Sequence, residues 1–384
     1  MSKGLKIVVV SFDWRNLFET NLGEVFEKLE RDGFISEHNK IFSINWSTRS
    51  YHKKINDNLE TVHLNARVGR LRFWYDFVNI FAVPFILMRH GFIPDVVVAR
   101  DFQSVLSGLV AKLLWRSKIA VILTNIPTQV IRNRPFWQIL FLYQATSQFF
   151  SKYFVDYAVA ISNTTKDYLK KLKIPDQKIR IFVPNVIARD KKFIEVSQAG
   201  LVRAQYDIPR DKKIILSVGR LESEKNFRGL IDIFHSLKDE NLILIIVGEG
   251  RLRQELEKQV YDLNLAGRVI FAGFVERKDI WNFYRDVDVF MLLSQSEGLG
   301  LVFWEAMYMR VPVIGPAIEG IAETIGEDGL RGFFWNDGAD SSLLKAKIFT
   351  CYQKTGAIEE MLNRAERYVH EKTSAQSSID QLLR

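Results

Sequence analysis

The 384-residue chain holds one cysteine, six histidines and nine prolines. The lone Cys351 excludes an internal disulfide framework and any cysteine-clustered zinc or iron–sulfur site, and it fits a reducing compartment. Long apolar runs are also missing. The longest, Phe77 to Met88, contains Asn79 and Pro84 and falls short of the ~20 residues that cross a bilayer. The leading apolar stretch, Ile7 to Val10, is too short for the core of a secretory signal. A cytoplasmic chain is expected, at most peripheral on the inner face of the membrane. There is no low-complexity segment and no short internal repeat.

Present instead is a composition of 47% apolar and 26% charged residues, that of a folded protein whose length suits two cores rather than one. Charge is unevenly divided. Residues 1–190 carry 27 Lys and Arg against 16 Asp and Glu, whereas 191–384 carry 26 against 29. Between Thr61 and Phe154 the only acids are Asp76, Asp95 and Asp101. Such a field favours an anionic partner.

Short β-rich runs alternate with helical patterns: KIVVVSF, DVVVAR, AVILTN, YAVAIS and IRIFVPN in the first half, then KIILSVG, LILIIVG, RVIFAG, VDVFMLL and VPVIG. Strands spaced by helices predict two doubly wound lobes of α/β class. The charged, weakly periodic segment from Ile187 to Pro209 reads as the hinge between them. The end of the chain reads as helix, break, helix.

Parallel sheets bind ligands beyond the C-terminal ends of their strands, where loops lead into helix N-termini. In SQSEGLGLVFWEAM, Gly298 and Gly300 allow close backbone approach to a phosphate before a helix starting near Leu301. Glu297 precedes the turn and Glu305 follows it, and carboxylates accept paired hydroxyls of a sugar or ribose. In SVGRLESEKN, a strand ending at Gly219 delivers Arg220 and Lys225, two cations suited to clamping a diphosphate. Alone, Gly248-Glu249-Gly250 reads as a structural turn, and Arg220 and Lys225 read equally well as solvated surface charges.

Taken in order, GR-x4-K-N, IIVGEG, FAGFV and D-x-F-x-L-x-S-x-S-E-G-x-G-L-x-x-x-E-A-M resemble the retaining glycosyltransferase family 4, of the glycosyl transferases group 1 kind, over about residues 214–325. The resemblance implies the GT-B fold, two Rossmann-like doubly wound domains facing a central cleft. It implies an acceptor-binding domain over 1–188, with a C-terminal helix 371–384 packing back on it, and a nucleotide-sugar donor domain over 189–370. By similarity Arg220, Lys225 and Glu297 carry the chemistry: the cations hold the donor's phosphates and Glu297 the hydroxyls of the transferred sugar. Glu305 takes the ribose, Phe274 and Val275 meet the base, and Gly219, Gly248, Gly250, Gly298, Leu299, Gly300 and Leu301 complete the donor pocket.

The implied activity is transfer of a hexose-type sugar, with retention, from a UDP- or GDP-sugar to a glycan or lipid-linked acceptor in polysaccharide or glycoconjugate synthesis. No bound cofactor and no metal are implied, since the leaving phosphate itself takes the acceptor's proton and the protein supplies cations and positioning. Asp286-Val287-Asp288 has the form of a metal motif, but its place at the entry to a buried strand favours capping. A glycosidase would need two carboxyl groups flanking the bond at ~5 Å, one with a raised pKa; Glu297 and Glu305 look placed for hydroxyls.

The first half departs from the family pattern. After the first strand Gly23 stands alone, no histidine falls at the later strand ends, and Asp101 and Asn125 are the polar groups there. These three are the acceptor-side candidates, with strand-end capping an equal reading for Asp101 and Asn125. Arginines beside Trp74, Tyr75, Phe136 and Trp137 suit either core-facing helices or a helix at a lipid headgroup boundary, giving an anionic membrane surface as an expected partner. The competing readings are a GT-B-fold nucleotide-sugar epimerase and a basic nucleic-acid-binding protein. The second is disfavoured, because no nucleic-acid motif accompanies the charge.

Overall fold

Near-continuous runs of branched aliphatic residues, such as Val96-Val97-Val98 and Leu242 to Val247, can bury both faces of a strand, and that requirement sets the architecture. The computed structural model describes residues 5–10, 40–47, 51–56, 59–65, 72–100, 105–123, 146, 148–149, 151–183, 186–335, 341–353 and 355–374. Described residues up to Val183 belong to one unit and those from Val186 to Ser374 to a second.

In the first unit the strands are Lys6–Val10 (β1), Lys40–Ser47 (β2), Tyr51–Asn56 (β3), Leu59–Asn65 (β4), Val96–Arg100 (β5), Lys118–Leu123 (β6), Tyr157–Ala160 (β7) and Ile179–Ile181 (β8). They form one sheet in the order β3-β4-β2-β1-β5-β6-β7-β8, parallel except where β3 runs against β4. Alternate residues serve opposite faces. Ile7, Val96 and Val98 join Ile122, Val159 and Phe182 on one side, while Val8 and Val97 join Phe42, Ile44 and the helix residues Val83, Ile86 and Leu87 on the other. Each such aliphatic side chain, fully buried, contributes roughly 1.5–3 kcal/mol.

Two expectations are corrected in this region. The run β2 to β4 supplies three strands where the alternation of strand and helix was expected; polar residues interrupt the apolar pattern that would have marked them. The segment from Ile187 to Pro209 is not a free hinge. It forms the helices Val186–Val196 and Leu201–Gln205 of the second unit, with Ile187, Ile194, Val202 and Ile208 buried. Sequence pattern missed this because short amphipathic helices with many charges carry little periodic signal.

The second unit contains Lys213–Val218 (β9), Leu242–Val247 (β10), Val269–Gly273 (β11), Val289–Met291 (β12), Val313–Gly315 (β13) and Phe333–Phe334 (β14). All pairs are parallel, in the order β11-β10-β9-β12-β13-β14. The chain builds outward from β9 in one direction and from β12 in the other, so the order reverses between those two strands. That switch point is where an open parallel sheet leaves a crevice beyond its carboxyl ends.

Asp286 and Asp288 are occupied as caps. Asp286 accepts from the backbone N–H groups of Gly200, Val202 and Arg203, and Asp288 accepts from Ile214 N–H at 2.9 Å and pairs with Lys213 at 2.9 Å and Arg203 at 3.3 Å. The helix Gly356–Ser374 buries Ile358, Met361, Leu362, Ala365 and Val369 along one stripe and sets Tyr368 edge-on to Trp304. It runs past residue 370, where the second domain was expected to end. The remainder of the expected helix 371–384, beyond Ser374, lies outside the described residues.

Candidate functional site

The loop after β9 starts at Gly219, whose N–H donates to the Val247 carbonyl of β10 at 3.0 Å. It passes through Arg220, makes a short turn of 3-10 helix at Ser223–Lys225 and reaches Asn226. Asn226, at φ +52°, caps the helix Phe227–Ser236 by accepting from Gly229 N–H. Two glycines of the β10 loop are required by closeness. Gly248 has φ +136°, and a Cβ there would stand 2.0 Å from the Gly219 carbonyl oxygen; one on Gly250 would stand 2.4 Å from that of Leu221. The two loops therefore lie backbone to backbone, joined by Leu221 N–H donating to the Glu249 carbonyl at 3.0 Å.

On the other side of the switch point, the loop after β12 carries Glu297, Gly298, Leu299 and Gly300. Gly300, at φ +70°, caps the helix Leu301–Tyr308, so the helix starts where the glycine turn predicted. Gln295 N–H donates to the Glu224 carbonyl at 2.8 Å, tying this loop to the one after β9. Buried Thr324 holds the turn from below, donating to the Leu299 carbonyl at 3.2 Å and accepting from the Trp304 indole at 2.9 Å.

The Lys225 ammonium and the Glu297 carboxylate form an ion pair across the gap, each side chain 17% exposed. Ser294 Oγ lies 3.4 Å from the same carboxylate oxygen. Arg220 is on the same loop but exposed, pairing with Glu224 at 3.2 Å. Glu305, buried on the helix Leu301–Tyr308, belongs to a different set: it pairs with Arg277 at 2.7 Å and accepts from the Tyr284 hydroxyl at 3.0 Å, and Arg277 also pairs with the buried Asp190. Both cations and Glu297 are thus on neighbouring loops, with Glu305 on the helix that follows, and of the four only Lys225 and Glu297 touch. Opposite charges within reach pair locally, Arg220 with Glu224 and Glu305 with Arg277.

Arg277 and Tyr284 are the site-adjacent residues that sequence reasoning missed. Burial lowers the Arg277 pKa, but the charges of Glu305 and Asp190 outweigh it and raise it overall. Burial, and then the Glu305 charge, push the Tyr284 phenol well above its ordinary range, so it stays a donor to Glu305. The available signal was position: Arg277 follows the end of β11 as Arg220 follows the end of β9.

Phe274, directly after β11, is 72% exposed, with Val275 half-buried beside it. An aromatic ring left in solvent at a strand end offers a stacking face. Leu299 is buried and Leu301 half-buried. Gly23, Asp101 and Asn125 lie outside the described residues, as do Phe136 and Trp137. Trp74 and Tyr75 fall within the helix Arg72–Arg89. Among the described residues no group of three His, Cys, Asp or Glu is placed to hold a metal, and no helix is long and apolar enough to cross a membrane.

Residues 200–372 match the family described as glycosyl transferases group 1. A lipopolysaccharide core biosynthesis glycosyltransferase, LpsE of Rhizobium meliloti, is 36% identical over 144 residues, 38% of this chain and 41% of that protein. An uncharacterized glycosyltransferase of Methanocaldococcus jannaschii is 31% identical over 173 residues, 45% of this chain and 44% of its own. The chain therefore spans less than half the length of these curated relatives. The crystal structure of Anabaena Alr3699/HepE in complex with UDP-glucose superposes with a TM-score of 0.71 at 16% identity, covering 99% of this chain and 98% of that one. At that identity the likeness shows the fold, which is GT-B.

Proposed function

We propose, from the match of residues 200–372 to the glycosyl transferases group 1 family, that the protein is a retaining glycosyltransferase of family 4 type. It moves a hexose-type sugar from a UDP- or GDP-sugar to a glycan or lipid-linked acceptor, in polysaccharide or glycoconjugate synthesis. The observation that carries this reading is the Lys225–Glu297 pair standing at the strand-order switch between β9 and β12. A donor diphosphate entering there gives Lys225 a stronger anionic partner than one carboxylate. Glu297, released, then accepts hydroxyls of the sugar.

In the reaction the bond from the sugar's anomeric carbon to the phosphate oxygen breaks and a bond to the acceptor oxygen forms on the same face. The acceptor's proton passes to the departing phosphate, and the nucleoside diphosphate leaves. Lys225 and Arg220 supply the charge that stabilises that leaving group, a contribution largest where water is excluded. Arg277 and Tyr284 hold Glu305 in one orientation for the ribose, and Phe274 stacks on the base. Residues 1–183, with acceptor candidates Gly23, Asp101 and Asn125, supply the acceptor side.

An anionic membrane surface is the further partner in this reading. It is supported by the helix Arg72–Arg89, whose Val83, Ile86 and Leu87 face the core while Phe81, Phe85 and Met88 stand exposed beside Arg89. Aromatic and methionine side chains over a basic unit suit a headgroup boundary.

The test is a thermal-shift screen of UDP, GDP, ADP and their common sugars, followed by product analysis. One diphosphate and its sugar should raise the melting temperature in proportion to the logarithm of concentration over affinity. Release of diphosphate with an α-linked product from an α-linked donor supports retention. Binding of none of them overturns the reading, and a donor whose sugar is isomerised without transfer points to an epimerase.

A further inference from the structure

The loop after β13 lies next to the loop after β12, and Gly320 N–H donates to the Glu297 carbonyl at 3.2 Å. Glu319, one residue earlier, combines three features that each oppose folding. Its φ is +28°, in the left-handed region that side chains other than glycine avoid. Its half-buried carboxyl has an oxygen, Oε2, enclosed with no hydrogen-bond partner of normal geometry among the described residues, although the Glu297 backbone and the Ser296 hydroxyl stand near enough to favour its charged form. And it faces Glu297, a like charge; burial first and then Glu297 raise its pKa, against the lowering effect of the Glu297 backbone and Ser296.

Strain and an unsatisfied polar atom persist in folded proteins where function retains them. The carboxyl stands close enough to Glu297 for their charges to interact, and Glu297 takes the transferred sugar in the reading above, on which this inference rests. We propose that Glu319 is a specificity-determining residue of the donor site: with Glu297 it reads hydroxyls of a neutral sugar and rejects donors whose sugar carries a carboxylate. Glu297 is paired with the ammonium of Lys225. A uronate would bring a third carboxylate beside those of Glu297 and Glu319, whereas a hydroxyl satisfies the unpaired Oε2 by donating to it.

The experiment measures affinity for the diphosphate that the wild-type chain binds, and for its neutral and uronate sugars: UDP-glucose against UDP-glucuronate, or GDP-mannose against GDP-mannuronate. Wild type should prefer the neutral sugar by at least about tenfold. Glu319→Gly should bring that preference to within about threefold while affinity for the bare diphosphate stays within about twofold. Its melting temperature should hold or rise, since glycine accepts the φ and removes the unpaired oxygen. A purely structural role predicts a fall instead. Glu319→Gln should keep neutral-sugar binding and lose rejection of the uronate. Unchanged preference in both variants, with diphosphate binding intact, overturns this inference alone. Failure of wild type to bind any diphosphate overturns it together with the transferase reading.

Discussion

Lys225 and Glu297, 72 positions apart in sequence, meet as an ion pair directly across the point where the strand order of the second sheet reverses. Neither is surface decoration, since each is largely screened from solvent. Their loops are fastened independently of the pair, through Gln295 N–H on the Glu224 carbonyl. The pair can therefore open without the loops parting, as donor binding requires.

Lys225→Ala and Glu297→Ala should each lower turnover by at least about tenfold, against the roughly 10²–10³ that loss of one preorganised charge-stabilising group costs. Circular dichroism should show the fold retained. Steady-state kinetics with the donor found in the screen checks the first point. Near-wild-type turnover by both variants would remove the proposed site.

Tyr284→Phe should cost about 1 kcal/mol in urea unfolding, the net worth of one hydrogen bond, and leave one Glu305 oxygen without its donor. Arg277→Ala should cost more, about 2 kcal/mol: breaking a buried pair costs ~3–5, discounted because its side chain is about one-third exposed. If Glu305 holds the ribose, both variants should raise KM for the donor more than they lower kcat. The opposite split would place this network in the chemical step.

Gly248→Ala should destabilise by about 2–3 kcal/mol or more, because its Cβ would stand 2.0 Å from the Gly219 carbonyl at a φ of +136°. Gly320→Ala should likewise push against the Gly298 carbonyl, 2.4 Å from the new Cβ, and displace the turn that carries Glu297. Thermal denaturation separates these from Gly91→Ala, whose φ is also positive but whose Cβ meets nothing within 4 Å.

The strands of the second unit were legible because runs such as Leu242 to Val247 are apolar without a break, and the turn at Gly298 and Gly300 because glycines stood before an apolar helix. Strands β2 to β4 were not, since Ser43, Asn45, Lys53 and Lys54 dilute the alternation that would betray them. Which charges would pair was not legible either. Arg220 and Lys225 look alike on the page, yet one finds Glu224 within its own turn and the other finds Glu297 through the fold. Glu319 gives no sign in sequence, because its φ and its unpaired oxygen exist only once two loops are set side by side.

Cys351 is buried, and burial pushes its thiol up to about 12. Thiol reagents at pH 8 should therefore label it only as the second unit unfolds. The folded pKa lies above the unfolded one, so the stability it lends is complete below about pH 8.5 and is lost as pH rises toward 12. Cys351→Ala should flatten part of the alkaline decline in a pH series of urea midpoints. Rapid labelling of the native protein would contradict the burial.

Membrane docking is the reading most open to direct attack. The exposed stripe Phe81, Phe85 and Met88 repeats at helical spacing on a helix whose opposite side is core, so replacing it leaves Val83, Ile86 and Leu87 in place. Phe81→Ser with Phe85→Ser should fold normally yet sediment several-fold less with vesicles of phosphatidylglycerol and phosphatidylcholine. Raising salt from about 0.05 to 0.5 M should weaken wild-type binding as well, because the Debye length shrinks from over 10 Å to about 4 Å and screens the basic unit from anionic lipid. Apolar insertion alone would resist salt, and charge alone would ignore the phenylalanines; sensitivity to both is what a headgroup-boundary helix requires. Wild-type protein that stays in the supernatant at low salt would dismiss the membrane as a partner while leaving the donor site untouched.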